Sequence, residues 1–162
     1  QKTLQLATVG MTGIPTASYA PFVQGISGCE FYIYTSALSR HTSDLKETSK
    51  ASILIIEDEF PAENLFARKR ITFSCEVGYV SRGKEHVLDL FSKTFGNVFD
   101  PIRLLGDFTL FCLKPYEAIY VEGFGRAYLL DPDLSNPRQI KGTGPGGHSV
   151  EPSKKPSHQS IL

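Results

Sequence analysis

The sequence predicts a small antiparallel β-barrel carrying one or two helices. Three observations lead there: six or seven short β-prone runs punctuated by turn residues, one well-formed amphipathic helix pattern, and a length of 162 residues that suits a single domain. A chain this long buries one real core and is marginal for two.

Leu4 to Val9 and Thr16 to Gln24 are β-prone runs separated by Gly10-Met11-Thr12-Gly13, which is hairpin chemistry. Pro15 and Pro21 then belong at strand margins or at a bulge. Next, Cys29, Phe31, Ile33 and Thr35 alternate with Glu30, Tyr32 and Tyr34, the pattern of a half-buried strand. Ala51 to Ile56 is a continuous apolar run closed by Glu57-Asp58-Glu59 and reads as a fully buried strand. The clearest alternation follows, with Ile71, Phe73, Cys75, Val77 and Tyr79 on one face and Arg70, Thr72, Ser74, Glu76 and Gly78 on the other. Residues 84 to 95 place Val87, Leu88, Phe91 and Phe95 on one helical stripe, and Gly96 can stop that helix. Phe108 to Leu113 and Ala118 to Leu130 complete the strand set, with Pro115 between them and Gly123 and Gly125 allowing a bulge or a close backbone approach.

From Pro132 the composition changes to proline, glycine, serine and lysine, with almost nothing apolar before Ile161. The expected division is a barrel over residues 1 to 131 and an extended, mobile tail over 132 to 162. The sequence opens at Gln1 inside a strand-like segment, so further residues are expected upstream.

Lysine plus arginine equals aspartate plus glutamate at 17 each. No global field therefore draws the protein to nucleic acid or to an anionic membrane, and any anion site must be local. No apolar run is long enough to span a bilayer. Cys29, Cys75 and Cys112 are odd in number, far apart and set among apolar residues, which suggests reduced core thiols and a cytoplasmic protein. Zinc-ligand spacing, a P-loop, a Ser-His-Asp motif and an HExxH helix are absent from the sequence.

Two cationic stretches carry the local chemistry. In "SALSRHTSDLK", residues 36 to 46, Ser39 can cap a helix running to about Thr48, so free amides point the same way as Arg40 and His41 and form an anion cradle. The competing reading is a solvated arginine and a first-turn histidine. Arg68, Lys69 and Arg70 form the second cluster. By the strand alternation Arg70 lies opposite Ile71 and Phe73, facing a polar cleft or a salt bridge to Glu76 on its own face. An arginine fork suits a propionate or a phosphate equally, so these residues do not by themselves name the ligand. His86 reads as solvated on the polar side of its helix, and Tyr19 as core or interface packing.

Residues 29 to 58, "CEFYIYTSALSRHTSDLKETSKASILIIED", resemble the segment of pyridoxamine 5′-phosphate oxidase-like split barrels in which a strand, a Ser-Arg-Lys turn and a short helix grip the phosphate of FMN. Here His41 stands in place of the lysine. Residues 2 to 23 ("KTLQLATVGMTGIPTASYAPFV"), 65 to 73 ("LFARKRITF") and 106 to 130 ("GDFTLFCLKPYEAIYVEGFGRAYLL"), with the Arg-His turn, resemble haem-utilisation proteins of the HugZ and HutZ type, in order and over roughly two thirds of the chain. That resemblance implies a mainly β fold, a six-stranded antiparallel Greek-key split barrel of the FMN-binding kind, as a homodimer. It further implies haem bound at the dimer interface and a haem oxygenase-like oxidoreductase that releases iron with electrons from an external donor. Its site residues carry over as His148 on iron, with His158 the alternative ligand; Asp107 behind that imidazole; and Arg40, His41, Lys69 and Arg70 around the cofactor. FMN, or a haem carrier without catalysis, are the alternatives.

Overall fold

The computed structural model describes residues 1–25 and 28–141. Strands β1 (Thr3–Val9) and β2 (Pro15–Gln24) form the expected hairpin, its turn closed by the Gly13 amide on the Gly10 carbonyl at 3.0 Å. There follow β3 (Phe31–Ser36), helix α1 (Arg40–Thr48), β4 (Lys50–Ile56) and β5 (Arg70–Tyr79). Helix α2 (Lys84–Phe95), the one-turn α3 (Asp100–Arg103), β6 (Phe108–Gly123), β7 (Arg126–Leu130) and the two-residue β8 (Arg138–Gln139) complete the order.

The strands lie in the order β3-β2-β1-β4-β5-β6-β7-β8, and a further pairing of β3 with β6 closes the first six into an antiparallel barrel. Inward-facing apolar side chains fill it, chiefly Leu6, Phe31, Ile33, Ile53, Phe73 and Phe111. Phe31 and Phe73 pack at a 5.0 Å ring separation. Each such ring withdrawn from water contributes about 1.5–3 kcal/mol. A second cluster forms where α2 and the α3 region cover the outer face of β3: Tyr34, Val87, Leu88, Phe91, Phe99 and Leu110. Arg103 ties α3 to α2 through Glu85 at 2.6 Å and Asp89 at 2.8 Å. Among the described residues, no helix is long and apolar enough to cross a membrane.

Four sequence expectations change. The run from Ala51 to Ile56 is not fully buried: Ile53 and Ile55 enter the core, while Ser52, Leu54 and Ile56 lie half-exposed on the outer wall, because a barrel strand has one face to each side. Tyr79 leaves the core, since the strand's buried face ends at Val77. Tyr19 stands exposed on the outer face of β2, which removes the core half of its reading and leaves interface packing. Pro115 does not separate two strands. Ser74 pairs with Glu117 and Cys75 with Pro115, so Tyr116 is an extra residue bulged outward and β6 runs unbroken past the proline.

Residues 132 to 141 stay on the barrel. Leu134 packs against the main core, Arg138 reaches Asp131 at 3.1 Å, and β8 adds to β7 at Tyr128 and Leu129.

Candidate functional site

The site begins where β3 leaves the barrel. The Ser36 hydroxyl donates to Asp107 Oδ2 at 2.7 Å and accepts from the Leu38 amide at 3.1 Å, while the Ala37 amide donates to the Asp107 carbonyl at 2.8 Å. Asp107, just ahead of β6, thereby fixes the turn that delivers Arg40. On that turn Leu38 is 93% exposed, and Leu104, three residues ahead of Asp107 in the chain, is 84% exposed. Aliphatic surface on a turn that also carries a carboxylate and an arginine is the composition of a ligand rim.

Helix α1 then lies over β1 and β2 at the inward side of their hairpin. Ser39 is its N-cap by backbone geometry but makes no side-chain cap, and Thr42 is buried instead, donating to the Ser36 carbonyl at 2.7 Å. The amides of Arg40 and His41 have no acceptor among the described residues. Arg40 Nε donates to Asp44 Oδ1 at 2.9 Å, and the arginine side chain is 57% exposed whereas that of Asp44 is only 1% exposed. The second Asp44 oxygen accepts from Thr8 Oγ1 at 2.8 Å. Burial would raise this carboxyl's pKa, but the hydrogen bonds from Arg40, Thr16 and Thr8 and the charge of Arg40 outweigh it and hold the group below the usual carboxylate range.

The geometry also places His41. Ser18 Oγ lies 3.2 Å from the Leu6 carbonyl and 3.0 Å from His41 Nδ1, so the hydroxyl links the ring to β1. No buried side-chain nitrogen or oxygen lacks a partner among the described residues, so the partnerless Nε2 opens to solvent. Burial pushes the ring's pKa down, against the weaker upward pull of Asp44. The Arg-His pair thus presents one permanent cation beside an imidazole whose charged form burial disfavours.

The second cationic cluster divides. Arg68 is a structural staple: Nε and Nη2 both donate to the Glu57 carbonyl, the former at 2.8 Å, and Nη1 reaches Glu59 at 3.2 Å. The Lys69 amide donates to the Glu57 carboxylate at 3.1 Å, and its own side chain is exposed. Arg70 opens β5 opposite Ile56 and Val121 and donates from Nη1 to the Arg68 carbonyl at 3.1 Å. Glu76 is not its partner, because it lies at the far end of the strand opposite Lys50. Arg70 faces the outer wall with Leu54, Ile56 and Thr72. Among the described residues, no hydrogen bond or ion pair joins it to Arg40 or His41.

His148 and His158 lie outside the described residues. His86 is exposed on α2, as the sequence suggested. Among the described residues, no group of three or more histidine, cysteine or acidic side chains could hold a free metal ion. Sequence reasoning missed Asp44 and Ser36. The opposite charges of Arg40 and Asp44 at i, i+4 were readable, but the Ser36–Asp107 contact spans 71 residues and has no local signal.

A closed six-stranded antiparallel barrel with an arginine in the strand-to-helix turn at one end is a split β-barrel. A profile of the pyridoxamine 5′-phosphate oxidase family matches residues 1–122. The chain belongs to that family, as a protein of the HutZ type. It is 43% identical over 136 residues to the heme oxygenase HutZ of Vibrio cholerae serotype O1 (strain ATCC 39315 / El Tor Inaba N16961), covering 82% of this chain and 76% of that protein. The crystal structure of HutZ, described as a heme storage protein from Vibrio cholerae, superposes with a TM-score of 0.65 at 44% identity, over 70% of this chain and 81% of that one. Campylobacter jejuni ChuZ gives a TM-score of 0.78 at 31% identity; 93% of this chain is covered but only 60% of ChuZ.

Proposed function

We propose that this protein binds haem in a cleft between two copies of the barrel and takes part in oxidative opening of the porphyrin to release iron. The observation that carries the reading is the β3–α1 turn, where an arginine with free terminal nitrogens, open helix amides, a carboxylate and exposed leucines occupy one end of the barrel. Haem asks for this combination: cationic donors for its propionates and an apolar rim for its ring. The HutZ relatives, named for heme oxygenase and heme storage, support the same ligand.

Haem, when bound, supplies the oxygen-activating chemistry. The chain's residues orient and enclose it. Arg40 and Arg70 would neutralise propionates, with Lys69 at the rim. Arg70 lies on the outer wall and Arg40 at the turn, so a second barrel facing the half-exposed Leu54 and Ile56 would bring both kinds of group to one cleft. Asp107 has one oxygen engaged by Ser36 and the other without a partner among the described residues, free to accept the outer N–H of an iron-ligating imidazole from His148 or His158. That hydrogen bond would fix the tautomer and strengthen donation to iron. An external donor supplies electrons in the cytoplasm.

Haem added to the purified protein should give a saturable Soret shift, and His148→Ala should change the coordination spectrum. Asp107→Asn should bind haem and degrade it poorly when oxygen and a reductant are supplied. The storage name carried by one relative favours a second reading, a haem carrier, which would hold haem intact under the same conditions. A protein that isolates yellow, with flavin bands and no Soret response, would replace both readings with FMN chemistry.

A further inference from the structure

We propose that Asp44 is the positioning residue for Arg40: by occupying Nε, it turns the guanidinium so that its two terminal nitrogens project from the first turn of α1 toward a ligand carboxylate. The inference deepens the reading above and rests on it for the identity of that carboxylate, a haem propionate.

A surface arginine samples many rotamers, and each must be surrendered when it forms a two-point contact with a carboxylate. Arg40 is restrained in advance. Its Nε–H is committed to Asp44 Oδ1 at 2.9 Å, which leaves the four terminal N–H groups with no partner among the described residues. The anchor is itself immobile. Asp44 is fully buried, its other oxygen accepts from Thr8 at 2.8 Å, and Thr16 on β2 helps to hold it ionised. Gly10 supplies the space: a Cβ there would stand 2.7 Å from Asp44 Oδ1. Two strands and a glycine turn thus hold one carboxylate against the stem of one exposed arginine. A lysine at position 40 could not reproduce this, since its single ammonium would be drawn to Asp44 and nothing would remain to fork outward.

The experiment is a double-mutant cycle on haem affinity, read by Soret titration of the full chain with Asp44→Asn, Arg40→Ala and both together. Each single variant should weaken haem binding about tenfold, and the double variant should bind no more weakly than Arg40→Ala alone. A purely structural role for Asp44 would instead add its loss to that of Arg40→Ala, which overturns the proposal. Arg40→Lys, a change at an exposed side chain that leaves Asp44 in place, guards against misfolding of Asp44→Asn: it should bind haem as poorly as Arg40→Ala, and wild-type affinity would overturn the fork. If the wild-type protein takes up no haem, the haem reading falls while the positioning role is measured with FMN, whose phosphate needs the same fork. Asp44→Asn and Arg40→Ala binding FMN as tightly as wild type, or a wild-type protein that binds neither molecule, would overturn it.

Discussion

Gly10→Ala offers a sharp test of the α1 anchor. The backbone there does not require glycine, because its φ lies outside the left-handed range, so the substitution acts through space alone. The new Cβ would stand 2.7 Å from Asp44 Oδ1 and 2.8 Å from Glu47 Oε2. Glu47 is the end of a flexible side chain bound to the Met11 amide at 2.7 Å, and it can move. Asp44 cannot move without loosening its bond to Thr8. A hydrogen bond to a buried charged group is worth about 1.5–3 kcal/mol. Restricting the unfolded chain returns about 0.4–1 kcal/mol. The net loss is about 1–2 kcal/mol, which for a domain of this size lowers the melting temperature by about 4 °C. Gly78→Ala is the control: nothing lies within 4 Å of its added Cβ and its φ is ordinary, so it should melt at or slightly above wild type. Thermal melts of the three proteins by circular dichroism decide the matter. A Gly10→Ala protein that melts with or above Gly78→Ala would refute the claim that Asp44 is fixed.

Three further expectations follow from groups described above. Burial depresses the His41 pKa, so the unfolded chain binds that proton more readily. Stability should therefore fall as pH drops below the ordinary value near 6.5 and on through the folded pKa, and urea midpoints of His41→Gln should lack this part of the pH slope. Arg68→Ala removes both bonds to the Glu57 carbonyl and the contact with Glu59; it should cost about 1–2 kcal/mol and speed proteolytic cleavage between residues 58 and 66, while an unchanged cleavage rate would show that the staple does not hold the loop. Burial raises all three thiols, that of Cys75 to about 12, but only Cys29 is partly exposed, so a disulfide reagent at pH 8 should modify Cys29 alone until the protein is unfolded.

What could be read from the sequence was whatever depends on near neighbours. The stripe Val87, Leu88, Phe91 and Phe95 with Gly96 behind it returned α2 at its observed bounds, and Gly10 to Gly13 returned the first hairpin. Pro115 misled for the same reason. As a neighbour it breaks strands, but β5 pairs on both sides of it and the Tyr116 bulge absorbs the mismatch. The apolar run of β4 concealed that only alternate residues meet the core, because an outer wall that is itself aliphatic leaves no polar mark in the pattern. At the site, the Arg-His turn was visible and its meaning was not: His41 meets Ser18, and Arg40 is posed by Asp44 one turn along α1, which is in turn held by Thr8, so that Ser18 and Thr8 both act from the hairpin that α1 lies across.

Closure of the barrel by β6 has a consequence for biosynthesis. Phe31 meets Leu113 across about half the chain, and the same strand completes β5 along its whole length. While the ribosome is still making the first hundred residues, β3 and β5 both carry bare hydrogen-bonding edges, the surfaces through which nascent chains stick to one another. Arrival of one sixteen-residue strand seals both at once. Slow translation ahead of Phe108 would prolong that vulnerable interval and lower the soluble yield.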